Sequence, residues 1–142
     1  MLSFAGLTAS APAQAGEPPI YTSWRNNHAV GGYDAVSYYT GKPVKGDPKY
    51  FFEYKSAIWF FSTQRNRNVF ISEPLKYEPQ YGGYCAWAAA MGKTAKGDPR
   101  HFSLREGKLY LNFNKRIKAR WETDPDGFIA AADAKWPGLL SD

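Results

Sequence analysis

Apolar positions near the end of the chain fall at Phe128, Ile129, Ala132 and Trp136. That is the spacing of one helical face, and it predicts a closing helix over Asp126–Trp136 that Pro137 ends. Upstream, short runs rich in aromatic and branched residues predict strands instead. Tyr50–Tyr54 with Ile58–Phe61 forms one hairpin, and His101–Arg105 with Leu109–Phe113 a second, turned at Glu106-Gly107. A cap residue, Ser62 or Asn114, follows each hairpin and opens a helix, 63–72 or 115–123, stopped by Pro74 or Pro125. Before each hairpin stands Gly-Gly-Tyr, which opens a short helix, 34–40 or 85–91, and then a Lys-Gly-Asp-Pro turn. The two hairpins are expected to join into one four-stranded antiparallel sheet packed by helices, an α+β fold with segregated layers.

These parallels are one regularity. Shifted by 51 residues, the chain aligns with itself without a gap. Gly31-Gly32-Tyr33-Asp34-Ala35 lies over Gly82-Gly83-Tyr84-Cys85-Ala86, and Lys45-Gly46-Asp47-Pro48 over Lys96-Gly97-Asp98-Pro99. Segments 31–74 and 82–125 share 13 identities in 44 positions. Average composition gives about three by chance. Two copies are too few for a solenoid and predict a pseudo-twofold duplication of a helix–β-hairpin–helix unit around a shared core. The domain is expected to span 31–140, with 16–30 as an extended lead-in strapped onto it.

Length agrees with that plan, because 142 residues suffice for one self-supporting core. With 5 Trp, 10 Tyr and 9 Phe, so much ring surface asks for a packed core, a ligand pocket or both. No apolar run reaches 18 residues, so no membrane span is expected. The uncharged segment Leu2–Ala15 ends in Ala13-Gln14-Ala15 and predicts the remnant of a cleaved secretory signal, hence a periplasmic or secreted protein. The net charge of +5 puts Arg65, Arg67, Lys115, Arg116, Lys118 and Arg120 on two equivalent helices. A solvated face is the expected role, with anionic partners next. Export and the lack of a recognition motif argue against nucleic acid.

The single cysteine excludes an internal disulfide framework and any multi-cysteine zinc site. Asp34 and Cys85 occupy equivalent places after Gly-Tyr at a helix start. There free N–H groups favour an Asp cap and push a thiol towards thiolate. Cys85 therefore reads as a buried packing residue, a metal or cofactor ligand, or a redox-active thiol. Metal candidates are Cys85, His101, Met91 and His28, the soft set used by copper, although their order lacks blue-copper spacing. Tyr33, Asp34, Tyr81, Gly82, Gly83, Tyr84 and Trp87 are the candidate pocket residues, with the glycines admitting close approach of a ligand or another backbone. No Ser-His-Asp set or carboxylate pair stands out, which disfavours hydrolysis and favours a non-enzymatic role.

Gly32-Tyr33-Asp34-Ala35-Val36-Ser37-Tyr38-Tyr39, Trp59-Phe60-Phe61-Ser62, the stretch from Tyr77 to Ala86 containing Tyr-Gly-Gly-Tyr-Cys-Ala, and Trp136-Pro137 resemble the YHS-domain family. The chain is most similar to its small secreted bacterial members. The resemblance covers nearly all of residues 28–140. It implies a compact α+β domain and, because other YHS domains sit in metal-handling proteins such as copper-transporting ATPases, binding of copper or another transition metal. The metal-linked versions carry more cysteines, and only Cys85 matches here. Members described as selenoproteins imply redox chemistry if selenocysteine falls at the Cys85 position. The leading expectation is a secreted binding module for a metal ion or metal-containing ligand centred on Cys85. The alternatives are a thiol-redox protein using Cys85, and a scaffold that docks a partner protein around a structural Cys85.

Overall fold

The computed structural model describes residues 16–141. The expected signal remnant, 1–15, lies outside them. The chain is α+β. A tight 3-10 turn, Ala29–Gly32, and a 3-10 helix, Ala35–Thr40, lead into strands β1 (Asp47–Tyr54) and β2 (Ala57–Phe61) and helices α1 (Gln64–Ser72) and α2 (Pro74–Tyr77). A second tight turn, Gln80–Gly83, then leads through α3 (Ala86–Ala90) to β3 (Asp98–Arg105), β4 (Lys108–Asn112), α4 (Lys115–Trp121) and α5 (Pro125–Lys135). A last 3-10 turn covers Gly138–Ser141. No helix among the described residues is long and apolar enough to cross a membrane.

The strands form two separate two-stranded antiparallel sheets, β1–β2 and β3–β4, and not the expected single four-stranded sheet. The reason lies at the free edges. Ile58 on β2 bridges to His28, with its N–H on the Asn27 carbonyl at 2.7 Å. Leu111 on β4 bridges to Cys85. Each inner edge is thus occupied by the segment around a tight turn, which leaves no room for strand pairing between the hairpins. Their contact is made by side chains, with Leu109 and Leu111 packing into the same core as Trp59, Phe61 and Phe70. A second core gathers Tyr81, Ala86, Ala89, Ala90, Tyr110, Trp121 and Ala132 where α5 lies on α3.

Each hairpin shows the same register. Asp47 pairs with Phe61 and, after a bulge, Phe51 with Phe60. Asp98 pairs with Asn112 and, after a bulge, Phe102 with Leu111. Both tight turns are left-handed at three successive residues, with φ of 54°, 57° and 83° at Val30, Gly31 and Gly32, and 57°, 64° and 88° at Tyr81, Gly82 and Gly83. A β-branched Val and a Tyr held there are strained, and persist because packing fixes them.

Three local expectations need correcting. The cap of α1 is Thr63, whose hydroxyl accepts from the Asn66 N–H; Ser62 is drawn away to Asp34. Pro74 and Pro125 begin α2 and α5 at the first helical turn. A proline there gives up only an N–H that has no helical partner anyway. Finally, residues 35–40 form a 3-10 helix, while 86–90 are α-helical.

Candidate functional site

Asp34 is fully buried at the start of its 3-10 helix. One carboxylate oxygen accepts from the N–H groups of Val36 (2.9 Å) and Ser37 (3.2 Å). The other accepts from the Ser62 N–H (2.8 Å), the Ser62 hydroxyl (2.6 Å) and the Asn66 amide (2.8 Å). Every lone pair that points inward is used, so the carboxylate ties the helix start to the end of β2 and to α1.

Cys85 caps α3 and is 1% exposed. Sulfur offers a weaker and longer acceptor than a carboxylate, and the work of Asp34 is divided. The Ala88 N–H points at Sγ at 3.5 Å, while the Trp87 N–H goes to Oδ1 of Asn112 at 3.0 Å. The thiol then donates to that same Asn112 oxygen at 3.4 Å. Burial pushes the thiol pKa up, and the backbone N–H groups of Ala88, Phe113 and Trp87 only partly oppose it. The expectation of a helix start driving Cys85 towards thiolate is therefore outweighed by desolvation. Asn112 is itself buried, and its Nδ2 has no partner among the described residues. Ala88, Ile117, Trp87 and Ala95 pack around the sulfur.

The other metal candidates lie elsewhere. Met91 is at the opposite end of α3 from Cys85 and is 44% exposed. His101 sits on β3. His28 stacks edge-on against Phe60, ring centres 4.5 Å apart. It lines a small recess of about 190 Å³ with Asn26, Lys96 and Asp98. Among the described residues no group of three His, Cys, Asp or Glu is placed to hold a metal ion. The donors present do not fit the metal centre implied by the resemblance, because the one thiol is a protonated donor inside the core and the imidazoles do not converge on it.

Of the candidate pocket residues, Tyr81 and Gly82 line an open cleft of about 500 Å³, with Lys55, Lys108, Asp133 and Trp136 around it. Its polarity is graded. Lys55 pairs with Glu78 at 3.1 Å, and the Tyr81 hydroxyl donates to Asp133 at 2.9 Å. The Lys108 ammonium makes no hydrogen bond or ion pair among the described residues, although its backbone pairs with Arg105. Asp34, Cys85 and Tyr84 are buried. Tyr84 donates to the Pro18 carbonyl at 2.8 Å and packs on Trp136 and Tyr21. Tyr33 pairs across to Lys45, and Trp87 lies under the Arg120 guanidinium. The close approach at Gly82 is made by backbone, while Gly83 is buried against the Pro79 and Leu111 side chains. A Cβ on Gly82 would collide with the Pro19 carbonyl, and the Tyr21 N–H donates to the Gly82 carbonyl at 2.9 Å. The lead-in is thus strapped directly over the Tyr-Gly-Gly-Tyr turn.

Sequence reasoning missed Asn112. Its one signal was polarity at a place where the first half carries Phe61 in the core. Trp136, Lys55 and Lys108 were also missed as cleft residues, because they meet Tyr81 only through tertiary packing. Compared with protein-family models, curated proteins and solved structures, the chain finds no match in any of the three.

Proposed function

We propose that the protein is an exported, non-catalytic binding module with YHS-like organisation. In it the Gly-Gly-Tyr-Cys segment builds one wall of a ligand or partner cleft, and Cys85 is the internal cap that holds the segment in shape. The observation that carries this reading is the hydrogen bond from the Cys85 thiol to Asn112 inside a fully buried cluster. A group that is 1% exposed, with a raised pKa, is a poor nucleophile and a poor first contact for a soluble ligand. The cleft beside Tyr81 and Trp136 has the character of a binding site, with aromatic walls and a few convergent charges.

The same reading takes 31–74 and 82–125 as a tandem duplication about a pseudo-twofold axis. Its support is the recurrence, 51 residues apart, of both left-handed turns, both bulged hairpins and both Pro-started helices. The redox alternative draws on one observation, the three N–H groups that face the sulfur and would favour a thiolate once water reached it.

Thiol labelling of the native protein tests the reading, with and without Cu(I) and Zn(II). The expected result is slow labelling in the native state, fast labelling in denaturant, and no effect of metal. Fast native labelling that stoichiometric metal blocks would overturn it in favour of a metal-centred function. Fast native labelling indifferent to metal would favour the redox one.

A further inference from the structure

Beside α4, the indole of Trp87 lies beneath the Arg120 guanidinium, 5.5 Å from ring centre to carbon. The residues 51 positions earlier are Val36 and Val69. Where an indole and a guanidinium pack in the second half, the first half has two short side chains. An open cleft of about 540 Å³ lies there between α1, α2 and the 3-10 helix Ala35–Thr40. Tyr39 and Tyr77 make an edge-to-face pair in its wall, with ring centres 5.1 Å apart at 87°. Arg65 and Lys76 supply its charge, and no acidic residue lines it. Arg65 has no ion pair or hydrogen bond through its guanidinium among the described residues. Lys76 reaches Glu73 only at 4.0 Å. The Asn66 amide is committed to Asp34, and the Thr40 hydroxyl to the Ser37 carbonyl. The Tyr39 hydroxyl in the wall is buried and has no partner among the described residues, so the charged free valences of the cleft are both cationic and one phenol stands beside them.

We propose that this cleft is a second binding site and takes a planar aromatic carboxylate. The ring fills the space beside Val36 and Val69, against Tyr39 and Tyr77, where offset and edge contacts favour a flat partner. The carboxylate meets the guanidinium fork of Arg65, whose planar donors match it in a way an ammonium cannot. Lys76 adds a second positive charge. The inference rests on the contrast between the two halves at these positions, and is independent of Cys85 and of the Tyr81 cleft.

Isotope-labelled full-length protein is titrated with indole-3-carboxylate and, separately, with the uncharged indole-3-carboxamide, and amide shifts are followed by NMR. Saturable shifts are expected in α1, α2 and residues 36–40 with the acid. The amide, which lacks the charge-assisted bond, should bind about tenfold more weakly or worse. Arg65→Glu, a change at an exposed position in the first turn of a helix, should weaken the acid by at least the same factor while leaving the rest of the spectrum unmoved. Val69→Trp, which fills the cleft, should abolish the shifts. Equal affinity for acid and amide, shifts that map elsewhere, unchanged binding by Arg65→Glu, or no saturable shift at millimolar acid would each overturn the proposal.

Discussion

Five hydrogen bonds converge on the buried Asp34 carboxylate, and truncating it would strand donors from three segments at once. Unsatisfied buried donors cost about 1–3 kcal/mol each before relaxation. Asp34→Ala is therefore expected to lower stability by about 3 kcal/mol or more in urea denaturation. Cys85→Ala removes a weak sulfur acceptor and a small apolar volume, and should cost about 1–2 kcal/mol. A loss at Asp34 no larger than at Cys85 would contradict this division of labour between carboxylate and thiol. The asymmetry also limits exchange between the halves. Asp34 needs Ser62 and Asn66 as donors, and the corresponding residues beside Cys85 are Phe113 and Ile117. Cys85→Asp should accordingly destabilise the fold, by burying a carboxylate against the Asn112 amide without the hydroxyl and amide donors that Ser62 and Asn66 give Asp34.

At the scale of elements, the tight turn and the strap over it depend on one missing side chain. Gly82 has φ 64° and its Cβ position is taken by the Pro19 carbonyl. Gly107, in the β3–β4 turn, has φ 77° but faces open space. Gly107→Ala should cost only the backbone strain, about 1–2 kcal/mol. Gly82→Ala should cost more, and should release the lead-in, read as faster hydrogen exchange at the Tyr21 amide. Unchanged exchange there would show that the strap is held by other contacts. Local signals were legible from the sequence: the hairpins, the closing helix and the short helices that follow Gly-Gly-Tyr emerge from turn residues and apolar spacing, whereas the left-handed backbone at 30–32 and 81–83 does not. The joining of the hairpins was not. It depended on which segment would cover the inner edges of β2 and β4, and that was settled by Asn27, His28 and Cys85 at long range. The place of Cys85 at a helix start was also legible, but its protonation was not, since burial and the Asn112 acceptor come from β4.

Across the whole molecule, buried ionisable groups set the pH range of stability. Asp98 is held below the usual carboxylate range, first by its hydrogen bond from Arg100, whose fork meets it at 2.8 and 3.0 Å. Its stabilisation is present above the unfolded-state pKa of about 4 and is lost as pH falls through the lower folded value. On the alkaline side, burial raises the pKa of Tyr38, Tyr81, Tyr84 and Tyr110, and also that of Cys85. Groups held neutral by the fold contribute fully below their unfolded pKa and lose that contribution as pH rises towards the folded one. The unfolded thiol ionises near about 8.5 and the phenols near about 10. Stability measured by urea denaturation should therefore fall in two stages on the alkaline side. The first stage begins above about pH 8.5 and belongs to one proton. The second begins above about pH 10, belongs to several tyrosines, and is steeper. Cys85→Ala should erase the first stage and leave the second in place, because Tyr38, Tyr81 and Tyr110 lie in cores to which Cys85 does not belong. A wild-type profile that stays flat between about pH 8.5 and 10, or a first stage that survives in Cys85→Ala, would show that the thiol titrates normally in the folded protein and that water reaches it. That outcome would return Cys85 to the reactive role.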